Sequence, residues 1–321
     1  MADPAKPNGV HIAVCCPHGS GKIPGVPSES YKRAILSPQK TLDGRDIFVH
    51  ELTLYGDEYA RARNQLVDMV YTHEISLGFK VDYLFWWDDD VVLPVDVLQK
   101  LISHNLPIVG GLYFMRRHPF LPVAYKAVTD PVHPGRFWAI DSYADNALME
   151  VDAMGQGCVL VRREVYDNIP KPWFAWQEVE RKDDTSFQIS AVPLESAKAS
   201  EDKTLGEDLY FFTKAQNAGY KVMLDTAVKC GHEGDYVFDE TIFKNAQSRY
   251  HKIPPEGRLA ILMLAAPSPK PWDGNALANT PLGGSESAVA YLARELANKH
   301  HNIVYVASGG APNLIDNVHY R

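Results

Sequence analysis

Cysteine is scarce in this chain: four among 321 residues (Cys15, Cys16, Cys158 and Cys230), with no C-x-x-C pair. That spacing indicates neither a disulfide framework nor a cysteine zinc site. Long apolar runs are missing as well. No stretch approaches the ~20 residues of a membrane helix, and the N-terminus does not read as a signal peptide. There is no basic surplus; the formal charge is -8, which removes the electrostatic ground for nucleic acid or an anionic membrane surface. A phosphate-loop look-alike, Gly19-Ser20-Gly21-Lys22, fails because Ile23 stands where Ser or Thr is required and Cys16 where the first glycine belongs. What remains is the balance of a soluble globular protein, 45% hydrophobic and 22% charged, read as cytoplasmic. Any anionic ligand then needs a local cation.

Short apolar strands alternate with helical patterns, which predicts an α/β fold with a mostly parallel sheet flanked by helices. Strands are expected at Val10 to Cys16, Ile47 to Leu54, Tyr83 to Trp87, Pro107 to Phe114, Cys158 to Val161 and Val222 to Leu224. Helices are expected at Asp57 to His73, from Pro94 to His104, and from a Thr204-Leu205-Gly206-Glu207 capping box to Gly219. The polar stretch from Arg181 to Lys203 has no period and reads as a mobile loop, a candidate lid over a bound donor. Pro254, Pro255 and Gly257 mark a boundary, giving one domain over 1–255 and a partial β-α-β segment over 256–321, too short to bury a core alone.

The strongest chemical signal is Asp88-Asp89-Asp90, directly after the continuous apolar run Tyr83 to Trp87. Such a run fits a strand buried on both faces. Alternation along a strand aims Asp88 and Asp90 together and Asp89 away. Two crowded carboxylates at the end of a buried strand suit a hard divalent cation such as Mn²⁺ or Mg²⁺. The other reading is a solvated acidic loop. Arg63 falls in the apolar stripe of its helix with Leu66, Val67 and Val70, so it either snorkels or meets a buried anion. Asp208 and Glu207 open a helix, where a carboxylate stays ionised and can accept a proton from a hydroxyl. Glu207 also has a plain role as the acid of the capping box. His232 lies between Gly231 and Gly234, a lone histidine that is either structural or a third metal ligand. Gly155-Gln156-Gly157 reads as backbone approaching a ligand or as a turn. Trp173, Phe174 and Trp176 form either an acceptor platform or core.

Taken in order, a first strand ending in Pro17 and His18, Arg63-Asn64 on a helix, Asp88-Asp89-Asp90 as a D-x-D motif, Gly155-Gln156-Gly157, Gly206-Glu207-Asp208 and a late His232 resemble the GT-A-fold glycosyltransferases over about 240 residues. The resemblance implies a metal-dependent hexosyltransferase. It would move a sugar from a nucleotide-diphosphate sugar to a glycan or other hydroxyl acceptor, with no nucleic acid partner and no membrane span. It implies Asp88, Asp90 and His232 as metal ligands for Mn²⁺ or Mg²⁺. Pro17, His18, Arg63, Asn64, Asp88, Asp89, Gly155 and Gly157 would face the nucleotide, and Asp208, with Glu207 beside it, the acceptor. Inverting and retaining chemistry both remain open. The Q-x-x-R-W motif of processive synthases is absent. The segment from Leu259, with Gly283-Gly284-Ser285-Glu286, resembles the opening of a GT-B glycosyltransferase domain, which would be truncated here. Two rival readings stand beside this one, a sugar-phosphate nucleotidyltransferase and a non-catalytic nucleotide-sugar-binding module.

Overall fold

The computed structural model describes residues 6–19, 25–117, 120–127, 137–181, 187–192, 204–250, 260–264, 272, 284–300, 303–307, 313–315 and 318–320. The chain divides into two compact units, Met1–Ala246 and Gln247–Arg321; the sequence reading drew its boundary after residue 255. Lys22, Ile23, Pro254, Pro255, Gly257 and Gly283 fall outside the described residues.

The first unit is built on an eight-stranded sheet. Its spatial order is Gln39–Lys40, Asp46–Tyr55, Val10–His18, Tyr83–Trp87, Cys158–Arg162, Ile108–Leu112, Val222–Lys229 and Leu148–Val151. Three neighbouring pairs are parallel and four antiparallel, so the sheet is mixed rather than mostly parallel. The chief cause is Cys158–Arg162, which runs antiparallel between the Tyr83 and Ile108 strands. Its amino end therefore lies beside the carboxyl ends of the parallel strands. Helices cover both faces. Leu84 and Trp86 pack in the cluster containing Leu66, Val67, Val70, Phe211 and Phe212, while Phe85 and Trp87 pack with Tyr31, Ile35, Val97 and Leu101 on the other side. The Tyr83–Trp87 run is apolar throughout because both of its faces are buried.

The helix Tyr59–Leu77 is capped at its start by Glu58, whose carboxylate accepts from the amides of Ala60 and Arg61, and stopped by Gly78 at φ 74°. The helix Glu207–Asn217 has Gly206 at its cap, and Thr204–Leu205 belongs to a strand paired with Gln177 and Glu178. The expected capping box is therefore not formed, and Glu207 is free of that duty. The Arg181 to Lys203 stretch is corrected in part: Phe187–Val192 is a strand paired antiparallel with Trp176–Arg181, and the remainder lies outside the described residues. Among the described residues, no helix is long and apolar enough to cross a membrane.

The second unit has parallel strands Ala260–Leu264 and Ile303–Ala307 and a helix Gly284–His300, followed by a short hairpin of Asn313–Ile315 with Val318–Tyr320. Its core gathers Ala290, Ala293, Ala297, Val304, Val306 and Val318.

A chain of three histidines ties the outer face of the large sheet to its helix. His11 Nε2 lies 3.2 Å from the Pro7 carbonyl, His11 Nδ1 lies 3.2 Å from His50 Nε2, and His50 Nδ1 lies 3.1 Å from His73 Nε2. A carbonyl only accepts, so His11 carries its hydrogen on Nε2, which makes His50 the donor to His11 and His73 the donor to His50. Burial, then the neighbouring His73 and His11, depress His50 to about 4. A histidine held neutral below its ordinary 6.5 binds fewer protons folded than unfolded, so the stability it contributes is present above 6.5 and lost as pH falls toward 4. His50→Gln is expected to flatten this slope, measured as urea midpoints between pH 7 and 4.5; an unchanged slope would count against the chain.

Candidate active site

The functional side chains collect where the parallel strands end. His18 closes the first strand, Asp88 follows Trp87, Arg116 follows the Ile108–Leu112 strand, and Gly155 to Gly157 precede the antiparallel strand at the same edge. Asp88 to Asp90 do not continue the strand. Val91 donates to the Asp88 carbonyl at 2.9 Å, which makes the triplet a turn. The period-two argument therefore does not apply, and the three carboxylates take three partners. Asp88 accepts from Arg63 Nη2 at 3.0 Å, Asp89 faces His18 Nδ1 at 3.1 Å, and Asp90 meets Arg116 Nη1 at 2.9 Å.

His232 is delivered to this turn by a small sheet of Val91–Val92, Gly231–Glu233 and Val237–Phe238, in which His232 pairs with Val91 and the Glu233 amide donates to the Asp90 carbonyl at 2.7 Å. Its Nδ1 lies 2.8 Å from the Phe114 carbonyl and so bears the hydrogen. The other nitrogen, Nε2, lies 3.5 Å from Asp90 Oδ2. A hydrogen on Nε2, or a cation held between the two atoms, makes that approach favourable. Burial pushes the Asp90 carboxyl up, but the His232 ring and the Arg116 guanidinium outweigh it and hold it below its ordinary value. No group of three His, Cys, Asp or Glu side chains forms a ready metal cage among the described residues. Asp88, the third expected ligand, is turned to Arg63.

Arg63 sits at the centre, 2% exposed, over the rings of Trp86 and Phe174. The anions it meets belong to the chain itself. Besides Asp88, its Nε lies 3.7 Å from Glu207 and 3.6 Å from Asp208. Burial raises the carboxyls of Asp88 and Glu207, with Arg63 opposing. Asp208 rises further still, by burial and by the like charge of Glu207 beside it. Asp208 accepts from the Gln156 amide at 3.3 Å, its other oxygen has no partner, and both polar atoms of the buried Gln156 side chain are also unpartnered.

Some expected residues have other work. The Asn64 amide accepts from the backbone of Trp173 and Phe174 and donates to the carbonyls of Phe174 and Ala60. That pins the 173–174 segment to the helix and leaves no free edge toward a nucleotide. Gly155 is required by Tyr113, whose hydroxyl would lie 1.9 Å from a Cβ there, and Gly157 by Val91, whose Cγ2 would lie 2.8 Å away with the Tyr113 hydroxyl at 3.2 Å. Trp173 and Phe174 are core, and Trp176 donates to Glu58. Pro17 is buried in the first strand. The sequence reading missed Tyr55, which is exposed yet stacks on buried His18 at 4.5 Å between centroids. Arg116 and Tyr59 were missed as well, the latter pushed up by burial and by Asp88, Asp89 and Asp90, while Gln156 was read only as part of a glycine-flanked backbone segment. A Met-Arg-Arg run directly after a predicted strand was the available signal for Arg116; no motif marked the rest. A cleft of about 730 Å³, lined by Val10, Asp82, Tyr83, Arg162 and Asp167, opens at the opposite end of the parallel strands. Its charged side chains are paired with one another, as in Lys80–Asp167 and Arg45–Asp43.

No protein-family model matches the chain, and no curated protein matches it. Among solved structures, the chain is similar to A197 from STIV (17% identity, TM-score 0.44, 70% of this chain and 86% of that one). It is also similar to GalNAc-T7, solved with UDP, GalNAc and Mn²⁺ (10% identity, TM-score 0.38, 92% of this chain and 55% of that one). At these scores neither likeness carries the functional argument, which rests on the site.

A carboxyl raised above its ordinary value costs nothing below that value and costs stability once pH rises through the folded one. Asp208→Asn, which keeps an acceptor for Gln156, is therefore expected to stabilise the fold near pH 8 by about 1 kcal/mol, or about 2–4 °C in Tm, with the gain vanishing near pH 4. A loss of Tm at pH 8 would refute the strained-carboxyl description.

Proposed function

We propose that the first unit is a metal-dependent glycosyltransferase of GT-A type. It would move a sugar from a nucleotide-diphosphate sugar to the hydroxyl of a glycan or other acceptor. We propose the second unit as the opening part of a GT-B-type domain. The observation that carries the reading is the pairing, at one sheet edge, of a cation-seeking Asp90–His232 couple with a proton-accepting Asp208 held across Arg63.

The donor set fits a divalent cation. His232 donates its Nδ1 hydrogen to the Phe114 carbonyl, which fixes the ring as such a bond does for histidine ligands of metals, and it presents Nε2 beside a carboxylate oxygen. Asp90 and His232 would hold the ion, with Asp88 joining when it leaves Arg63; Mn²⁺ or Mg²⁺ suits these ligands. Bound there, the ion would offset charge on the departing diphosphate.

The remaining steps belong to the chain. His18 with Tyr55 stacked on it, and Asp89 beside them, supply an aromatic and hydrogen-bonding edge for the nucleoside. Arg116, half-exposed on Asp90, supplies a second cation for the diphosphate. In an inverting reaction the acceptor hydroxyl gives its proton to Asp208 as its oxygen bonds to the anomeric carbon. The bond from that carbon to the diphosphate breaks, and its electron pair leaves on the nucleoside diphosphate.

The test is a thermal-shift and donor-hydrolysis panel of UDP-, GDP-, CDP- and TDP-sugars with Mn²⁺ or with EDTA. One donor is expected to stabilise the protein and to be slowly hydrolysed only with metal, and Asp90→Ala to abolish both responses. His232→Ala is expected to raise the Mn²⁺ concentration required at least about tenfold. Folded protein that responds to no donor would sink the proposal.

A further inference from the structure

Arg63 is one cation among three carboxylates, and it has not distributed itself evenly. One hydrogen bond runs from Nη2 to Asp88 at 3.0 Å. Nε stops 3.7 Å from Glu207 and 3.6 Å from Asp208, too far for a bond, and both Nε and Nη1 are buried without partners. Asp208 Oδ1, the oxygen facing Nε, is unpartnered as well. A buried guanidinium with unspent donors opposite a buried oxygen with unspent acceptors is an interaction left unmade, and leaving it unmade is costly.

We infer that Arg63 is a shared counter-ion, a positioning residue that couples the two ends of the site: charge neutralised at Asp88 releases the guanidinium to Asp208. Arg63 suits the role because its planar fork can trade one carboxylate for another by a small rotation, while the Trp86 and Phe174 rings hold the plane in place. The groups facing Asp208 are Glu207 on its own helix, Arg63, Asp88 from the turn, and the hydroxyls of Tyr113 and Tyr125. Arg63 is the only cation in that set. While it is spent on Asp88, burial and the anions around Asp208 push its carboxyl well above the ordinary value. Once Asp88 is neutralised, Arg63 turns to Asp208 and draws that carboxyl down, so that it can take a proton from an acceptor. Under the glycosyltransferase reading, on which this biological sense rests, donor and metal arriving at Asp88 arm the base, so acceptor chemistry follows donor binding.

The coupling is testable without catalysis. Asp208 is titrated by carboxyl ¹³C NMR in the wild type and in Asp88→Asn, in both the Arg63 and Arg63→Lys backgrounds, with folding checked from amide spectra. Asp88→Asn is expected to lower the proton affinity of Asp208 about tenfold or more when Arg63 is present. In the Arg63→Lys background the change should be less than half as large, because a point ammonium lacks the fork. Equal shifts in the two backgrounds would mean that lost charge alone accounts for the effect, and would overturn the inference. The Arg63 Nε–H resonance gives a second readout that needs no Arg63 variant. In Asp88→Asn it should move downfield and gain exchange protection as the bond to Asp208 forms, and an unchanged resonance overturns the inference equally. Mg²⁺ added to the wild type separates the two claims. If it reproduces the Asp88→Asn response, both stand. If Asp88→Asn responds and Mg²⁺ does not, the coupling stands and the metal assignment falls.

Discussion

The buried guanidinium of Arg63 governs the carboxyl edge of this sheet. It reaches Asp88 from the turn after the central strand, and Glu207 and Asp208 from the start of a helix far along the chain. One guanidinium does not serve three buried carboxyl groups at low dielectric, so the region is held together under electrostatic tension. A fold that only sought stability would have replaced these groups with apolar ones of similar volume. Under the proposed reading, their presence beside a polar edge is stability given up for chemistry.

The rest of the architecture keeps that charge in place. Glu58 caps the helix that carries Arg63 and also receives the indole of Trp176, while Asn64, one residue on, fastens the 173–174 backbone. Phe174 thereby lies against Arg63, with Phe211 stacked on its ring at 4.9 Å. Phe211 stands on the same helix as Glu207 and Asp208. The cation and two of its anions are thus linked by packed aromatic rings as well as by charge, which limits how far either can move apart. A rigid aromatic setting around a guanidinium free to rotate is what a switchable counter-ion needs.

What could be read from the sequence depended on whether the deciding forces were local. The apolar run Tyr83 to Trp87 named a doubly buried strand, because its burial on both faces leaves no alternation. Arg63 in an apolar stripe left snorkelling or a buried anion as its two options; it is buried, and the anions it meets are the chain's own carboxylates. Local rules failed where long-range pairing overrode them. Thr204 was drawn into a strand with Glu178, so the capping box had no cap. Phe187–Val192 became a strand through its partner 176–181 despite its polar flanks. The Asp triplet left the strand for a turn, which no alternation rule foresees. Gly155 and Gly157 read as room for a ligand, whereas the room is taken by Tyr113, a residue more than forty positions away. Neither the Met-Arg-Arg run at Arg116 nor the glycines around Gln156 name a partner; only the fold brings these residues to Asp90 and Asp208.

The divergence of the three aspartates has a further consequence. Had Asp88 and Asp90 shared a face as strand neighbours do, their mutual repulsion would have been relieved by any cation, and the pair alone would make a strong, unselective site. Splitting them between Arg63 and the Arg116–His232 side spreads the charge over two internal cations. On the proposed reading, an incoming ion would have to displace Arg63 from Asp88, and share or displace Arg116 at Asp90. Such competition weakens binding of the bare ion and favours a ligand that brings anionic oxygens to satisfy the displaced guanidinium groups. A metal held by a diphosphate does both at once. Under the proposed reading, the arrangement would therefore favour the ion together with its anion over the ion alone, through charges already fixed in the fold.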